Sequence, residues 1–348
     1  MHDLIVAGGG PVGLAVAIEA ARRGWDVLVV EPRVGVLDKA CGEGLMPAGV
    51  DALNALGVAP PVHRVFRGIR YVRGAREVDA DFSEGEGWGI RRTALHAALR
   101  EAAERAGVRW AQGQVRQLTQ REDRVEAAGH KARWLVAADG LASPVRAALG
   151  LTLPRTRPAR FGLRRHFAVA PWSDRVEVHW ADDAEAYVTP VDDRLVGVAF
   201  LFGEAARARD LGSPEPPWSR LMDRFPDLAA RLTEPASAVR GAGPFAVDAK
   251  QRVAGRVLLA GDAAGYLDPL TGEGVKLGLL GAHALVEALA ADRPEDWEVA
   301  WRALYRPYER ATSALLTVTR PVWVRRCMLP FLQVFPGVMR RALAQLEA

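Results

Sequence analysis

The residues best placed to do chemistry begin with a cluster of glycines. Gly8-Gly9-Gly10-Pro11-Val12-Gly13 has the spacing of a GxGxxG turn, and Glu31 stands where a second strand would end. Such a turn cradles a dinucleotide pyrophosphate. Gly8 permits the tight turn, Gly10 lets the phosphates approach the backbone, and Gly13 lets helix and strand pack closely. The free N–H groups and positive dipole at the helix start, around Pro11 and Val12, would face the phosphates. Pro11 suits a first helical turn, where no N–H is needed. Glu31 can accept both hydroxyls of an adenosine ribose. Arg33 could reach the same adenosine or lie in solvent. By itself the turn serves NAD as well as FAD.

Three elements must hold this turn. Asp3 to Ala7 reads as a short buried strand, Pro11 to Arg23 as a helix stopped by Gly24, and Trp25 to Val30 as a second apolar strand. That is a βαβ opening, which implies a parallel sheet. Thr93 to Ala106 reads as an amphipathic helix ending at Gly107. Trp134 to Ala138 and Arg256 to Ala260 read as further buried strands, and a long helix begins near Gly274. Between about 155 and 245 the pattern alternates in Phe161 to Val169, Val176 to Trp180, Ala186 to Thr189 and Leu195 to Phe202. This reads as an antiparallel sheet with one wet face. A Pro-rich turn at Ser213 to Pro217 precedes a helix near Trp218 to Phe225.

Further motifs sit after these strands. Asp139-Gly140-Leu141-Ala142-Ser143-Pro144-Val145-Arg146 follows one, and Gly261-Asp262-Ala263-Ala264-Gly265 follows another. They resemble the DG and GD motifs of the aromatic-hydroxylase flavoproteins, a superfamily that includes para-hydroxybenzoate hydroxylase and the geranylgeranyl reductases. The resemblance covers roughly residues 1 to 50, 90 to 150 and 250 to 290. It implies one FAD, with Asp139 and Gly261 in its motifs and Asp262 accepting from a ribityl hydroxyl. Pro269-Leu270-Thr271-Gly272-Glu273-Gly274 is a glycine turn that opens a helix through Val275. Its N–H groups would face the flavin N1–C2=O edge, where negative charge grows on reduction. Arg92, at the head of the Leu95/Leu99 helix, matches the family's FAD-contacting arginine; a surface helix-start arginine is the other reading.

The fold class that follows is α/β: a Rossmann-type FAD-binding domain with a parallel sheet, interleaved with an antiparallel β-rich substrate domain, and a C-terminal helical segment. The expected boundaries are 1–60, 90–155 and 245–295 for FAD, 61–89 and 156–244 for substrate, and 296–348 for the C-terminal segment.

Lys39-Ala40-Cys41-Gly42-Glu43-Gly44-Leu45 looks like the Cys-Gly segment of the reductase branch, which would put Cys41 and Gly42 near the flavin. GDAAG followed by DPLTGEG also looks like that branch. Against it, the YxWxFP element of many such reductases is missing; Ala186 to Val191 occupies its place. The WxWxIP element of flavin halogenases is missing too. The whole pattern most resembles bacterial flavoprotein monooxygenases, some of which act on phenolic lipids or polyketide products. The resemblance then implies NAD(P)H as a transient electron donor and dioxygen as co-substrate. No second GxGxxG marks a separate nicotinamide domain. The expected function is an FAD monooxygenase of an apolar aromatic or polyketide-derived substrate. The alternative is a geranylgeranyl-reductase-like enzyme that saturates lipid or isoprenoid double bonds; a different flavin dehydrogenase or oxidase is a third, and a non-enzymatic flavin-binding or lipid-carrier protein without turnover a fourth.

The substrate pocket is expected between the sheet and the flavin, drawing on Tyr187, Pro190, His166, His179 and Arg165, of which alternation admits only some. Tyr187 or a histidine could help ionise a phenol, although a histidine satisfied elsewhere is the commoner case. Asp268, just before Pro269, could face the reacting edge or be a turn residue at the head of the helix. Cys41 is the third catalytic candidate. The C-terminal stretch is apolar and cationic, with Arg320, Arg325 and Arg326, and is broken by Pro321, Pro330 and Pro336. It could cover the substrate cavity or rest on a membrane and admit a lipid.

The remaining composition narrows the field. In 348 residues the formal net charge is +4, without a basic aromatic-laced stripe, so nucleic acid is not an expected partner. The two cysteines are far apart and no Cys/His cluster marks a metal site. The first strand starts at once, without a signal peptide, and no apolar run reaches a membrane span. A cytoplasmic protein with peripheral membrane contact at most is expected.

Overall fold

A computed structural model describes residues 1–211, 217–335 and 337–339. The strands Val253–Ala254, Val257–Leu259, His130–Ala137, His2–Ala7, Val27–Glu31 and Arg109–Gln112 lie side by side in that order. From Val257–Leu259 to Arg109–Gln112 every neighbouring pair is parallel. Their continuous apolar runs have a simple cause: both faces are covered. Leu4, Val6, Val27, Val29 and Val136 face the helices Pro11–Arg22, Arg92–Arg105 and Gly274–Ala290. Ile5, Ala7, Leu28, Val30 and Leu135 face the opposite core. Each fully buried branched side chain contributes roughly 1.5–3 kcal/mol. Gly24 and Gly107 end their helices in the left-handed region, at φ 80° and 84°.

The consequence for function is positional. Gly8, Glu31, Asp139 and Gly261 all fall at or just beyond the carboxyl ends of parallel strands. This is the edge at which open α/β sheets bind their ligands.

The second sheet runs Arg240–Ala242, Arg160–Phe167, Leu195–Gly203, Ala184–Asp192, Val176–Trp180, Gly68–Arg73 and Arg76–Asp81. It corrects the expectation of an antiparallel sheet at one joint, where Val176–Trp180 and Gly68–Arg73 pair in parallel. It also corrects the expectation of a wet face. Val188, Val198 and Phe200 bury one face against Trp218, Leu221, Phe225 and Leu228, which lie on or beside the helices Pro217–Met222 and Pro226–Arg231. Val176, Val178 and Trp180 bury the other face under Leu329 and Leu332. The Ser213 to Pro217 turn lies outside the described residues except for Pro217, which opens a helix. A small third sheet joins Gly44–Leu45, Gly87–Gly89 and Arg64–Phe66.

Two helices, Asp296–Val318 and Val322–Val334, close the described chain, with Pro321 between them. Pro330 does not break the stretch as expected; it lies inside the second helix. The burial of Leu329 and Leu332 against the sheet outweighs the hydrogen bond that a mid-helix proline forfeits. Pro336 lies outside the described residues. The same helix carries an outward apolar face, with Trp323 and Val334 each 69% exposed. Among the described residues no helix is long and apolar enough to cross a membrane.

Candidate active site

At the carboxyl edge of the parallel sheet, Gly8, Gly10, Glu31, Arg33 and Asp139 line one cavity of about 240 Å³, together with Lys39 and Gln114. The glycine turn is shaped as its spacing predicts. A Cβ on Gly13 would sit 2.0 Å from the carbonyl oxygen of Gly8, and Gly8 itself has φ 103°. Around Gly10 nothing lies within 4 Å of a would-be Cβ, so the backbone there is open to a ligand. Pro11 is the first residue of its helix, and Val12 packs against Gly261 and Gly278. That contact docks the glycine turn onto the GD motif.

Glu31 has partners within the chain. Its Oε2 accepts the Gly9 N–H at 2.9 Å, and its Oε1 accepts Arg33 Nε at 2.8 Å. Burial pushes its carboxyl up, but these hydrogen bonds outweigh burial and hold it below its ordinary range. His96, which sequence reasoning did not single out, supports the same turn. Its Nδ1 accepts the Leu37 N–H at 3.3 Å, so the proton sits on Nε2, 2.9 Å from the Gly9 carbonyl. Lys39 was also missed. Burial, with Arg33 and Arg92 nearby, pushes its ammonium down.

Arg146, a third residue without an expected role, lies near both Asp139 and Asp262. Its guanidinium donates to the carbonyls of Ala263 at 3.0 Å and Leu141 at 2.6 Å. Burial raises both carboxyls. Asp139 Oδ2 accepts the Val145 N–H at 3.2 Å, while Oδ1 is buried with no partner among the described residues. Arg92 Nε is buried and unpartnered in the same way.

At the other end, Pro269–Thr271 forms a short 3-10 turn capped by Asp268, and Gly272 takes the left-handed conformation at φ 73°. Gly274 and Val275 then open the long helix. The structure brings Tyr187 and Asp268 together here. The Tyr187 hydroxyl donates to the Leu270 carbonyl at 3.1 Å, and Asp268 Oδ1 accepts the Leu270 N–H at 3.0 Å. Burial pushes Asp268 up to about 6, against the pull of Arg160 3.2 Å away. Burial and the nearby Glu185 push the Tyr187 phenol well up, which keeps it a donor. The apolar neighbours are Met46, Tyr71, Val178, Leu270, Leu315 and Met328.

Cys41 is half-buried near Arg92 and Glu43, and burial raises its thiol. Gly42 beside it is exposed, and its carbonyl accepts the Thr189 hydroxyl at 2.7 Å. His166 does not stand free over the pocket; it is buried against Glu43, with Nε2 2.6 Å from Oε2. Strand register puts Arg165, His179 and Pro190 level with Val198, Ala186 and Val196, on the face away from Tyr187.

A family model described as an FAD binding domain matches residues 1–296. The chain belongs to that FAD-binding family. It is similar to the menaquinone reductase of Mycolicibacterium smegmatis, at 29% identity over 98% of this chain and 88% of that protein. It is similar to the para-nitrophenol 4-monooxygenase of Pseudomonas sp. strain WBC-3, at 28% identity over 84% of this chain and 78% of that protein. Among solved folds, PqsL of P. aeruginosa in complex with 2-aminobenzoylacetate superposes with a TM-score of 0.77 at 21% identity, over 95% of this chain and 99% of that one. The protein is therefore an FAD-dependent oxidoreductase.

The residues present fit FAD. An open backbone at Gly10, an unpartnered Asp139 Oδ1 and an unpartnered Arg92 Nε are what a bound dinucleotide would complete. Gly8, Gly10, Pro11, Val12 and Gly13 would hold the pyrophosphate, with Glu31 and Arg33 at the adenosine. Asp262 and the Gly272–Val275 helix start would hold the ribityl and flavin portions.

Proposed function

We propose that this protein is a monooxygenase. It takes electrons from a transiently bound NAD(P)H and an oxygen atom from dioxygen, and hydroxylates an apolar aromatic or polyketide-derived substrate. FAD, when bound, supplies the electron transfer from the donor and the activation of dioxygen. One observation carries the reading: the buried Asp268 carboxyl, pushed up by burial, and the Tyr187 phenol both meet the Leu270 backbone beside an apolar cluster. A phenolic substrate needs a base close to neutral pH, and burial moves Asp268 toward that range, to about 6. Tyr187, a fixed donor, would orient the substrate's oxygen. The roof of Leu315, Met328 and Leu329 would keep water from the reacting atoms. The similarity to a para-nitrophenol monooxygenase supports an aromatic substrate.

In this reading 1–60, 90–155 and 245–295 bind FAD and 61–89 with 156–244 bind substrate. The described part of the segment 296–348 would cover the pocket, through Leu329 and Leu332. The exposed Trp323, Phe331 and Val334 beside Arg320 would touch a membrane surface peripherally from the cytoplasm and admit a lipid-like substrate. Co-sedimentation with anionic vesicles that is lost in Trp323→Ser/Phe331→Ser tests that contact.

A second reading is favoured by Cys41-Gly42-Glu43-Gly44 and by the similarity to menaquinone reductase. In it Cys41 would serve the reduction of a lipid or isoprenoid double bond. Oxidation of NAD(P)H with a panel of phenolic lipids and polyprenyl quinones, in air and without it, separates the two. Stimulation that requires air supports hydroxylation. Stimulation that persists anaerobically, with a saturated product, overturns it in favour of the reductase.

A further inference from the structure

Glu43 has a left-handed backbone, at φ 62°. A residue with a Cβ costs roughly 1 kcal/mol more than glycine there, and glycines flank it on both sides. Its side chain is what the position needs, and both carboxylate oxygens are used. Oε1 accepts the backbone N–H of Arg92 at 2.8 Å, and Oε2 meets His166 Nε2 at 2.6 Å. The side chains of Glu43 and His166 are each only 1% exposed.

The surroundings hold the pair. His166 Nδ1 lies 3.0 Å from Ser237 Oγ and 3.2 Å from Arg164 Nη1. Arg164 Nη2 donates to the Lys39 carbonyl at 3.0 Å and pairs with Asp38. The Ile90 N–H donates to the Glu43 carbonyl at 2.8 Å, and the Glu43 N–H points at Cys41 Sγ at 3.4 Å. The facing strand is fitted to the carboxylate: a Cβ on Gly197 would lie 2.8 Å from Glu43 Oε2.

We propose that Glu43 and His166 are positioning residues that lock the Cys41–Gly42 segment to the substrate sheet and to the first turn of the Arg92 helix. The lock fixes the Cys41 thiol and the first turn of the Arg92 helix relative to each other. It is a property of the chain; only its use at the flavin rests on the FAD-enzyme reading.

The test is the rate at which iodoacetamide alkylates Cys41 in the full-length Cys327→Ser protein, where Cys41 is the remaining thiol. It is measured on the apoprotein and again with FAD. Glu43→Ala and His166→Ala should each raise the apoprotein rate about tenfold, and the double variant should add little, as expected for two members of one interaction. His166→Gln, which keeps a nitrogen near the place of Nε2, should recover most of the original rate. Gly197→Ala leaves both side chains in the chain but displaces the carboxylate, and should also raise the rate. If the alanine variants fail to fold, Gly197→Ala and His166→Gln decide on the same readout. Wild-type rates in folded variants, or effects of the two substitutions that simply add, would overturn the proposal. FAD titration by flavin fluorescence is read separately: a wild-type protein that bound no FAD would sink the flavin reading and leave the alkylation result standing.

Discussion

Arg146 Nη1 donates to the carbonyl oxygens of Asp262 at 3.3 Å and Ala263 at 3.0 Å, so a single guanidinium ties the DG motif to the GD motif across 116 positions of sequence. The residue is 3% exposed. Its partners are carbonyls, which a cation with several fixed donors suits. Arg146→Ala leaves those oxygens and the Leu141 carbonyl without their donor. The expected loss is about 2–4 kcal/mol of stability, read by urea denaturation, together with weaker FAD binding. Arg146→Lys keeps the charge but cannot span the carbonyls, and should lose at least half as much. A neutral result for Arg146→Ala would remove the staple from the account.

Glu31 is the second point of attack. Its Oε2 already holds the Gly9 N–H, so Glu31→Ala loses a loop contact as well as the ribose acceptor. FAD affinity should fall at least about tenfold, measured by fluorescence titration. The pH dependence has a definite sign. The folded carboxyl is held below its ordinary range, so its contribution is present above the unfolded value and is lost as pH falls through the folded one. Acid unfolding of Glu31→Ala should therefore be less steep than that of the wild type.

Much of this frame could be read from sequence because the signals are local. Continuous apolar runs such as Trp134 to Ala137 mean strands covered on both faces, and a glycine that tolerates no Cβ, such as Gly13, fixes its own neighbourhood. What escaped was long-range. Nothing near Arg146 indicates that its partners follow Gly261. Lys39 reaches the cavity only because the segment after Arg33 folds back over it. His166 is satisfied elsewhere, the commoner case for a histidine, but alternation gives only its face and not its partner, because Glu43 lies 123 positions away. The parallel joint between Val176–Trp180 and Gly68–Arg73 pairs strands far apart in sequence, and alternation within the hairpin 68–81 does not name a partner outside it. Pro330 was misjudged because local propensity yields to the packing of Leu329 and Leu332.

Asp268 gives a different kind of prediction. Burial pushes its carboxyl up to about 6 from an ordinary 3.8, so the folded state holds the proton more tightly than the unfolded chain. Stability from this group is full below the unfolded value and declines as pH rises towards 6, by up to about 3 kcal/mol. Asp268→Asn should flatten that decline in thermal melts between pH 4 and 7. If Asp268 is also the base, kcat/KM in the wild type should rise through pH about 6 and the variant should lose that limb. A variant with an unchanged profile would free Asp268 from any catalytic part.

Leu329 is fully buried between the last helix and the substrate sheet. Leu329→Ala should cost about 2–5 kcal/mol. Because it opens the roof, it should also raise the share of NAD(P)H oxidation that yields hydrogen peroxide instead of product. Peroxide yield measured beside product yield checks this; unchanged coupling in a destabilised variant would confine Leu329 to packing.

The central claim is that the site moves one oxygen atom from dioxygen to an apolar aromatic substrate. The most direct measurement is turnover of a phenolic-lipid panel by the FAD-loaded protein with NAD(P)H under isotopically labelled dioxygen, with products read by mass spectrometry. The account predicts a product carrying one labelled oxygen atom. A product that gains two hydrogens and no label, formed equally well without oxygen, would contradict it.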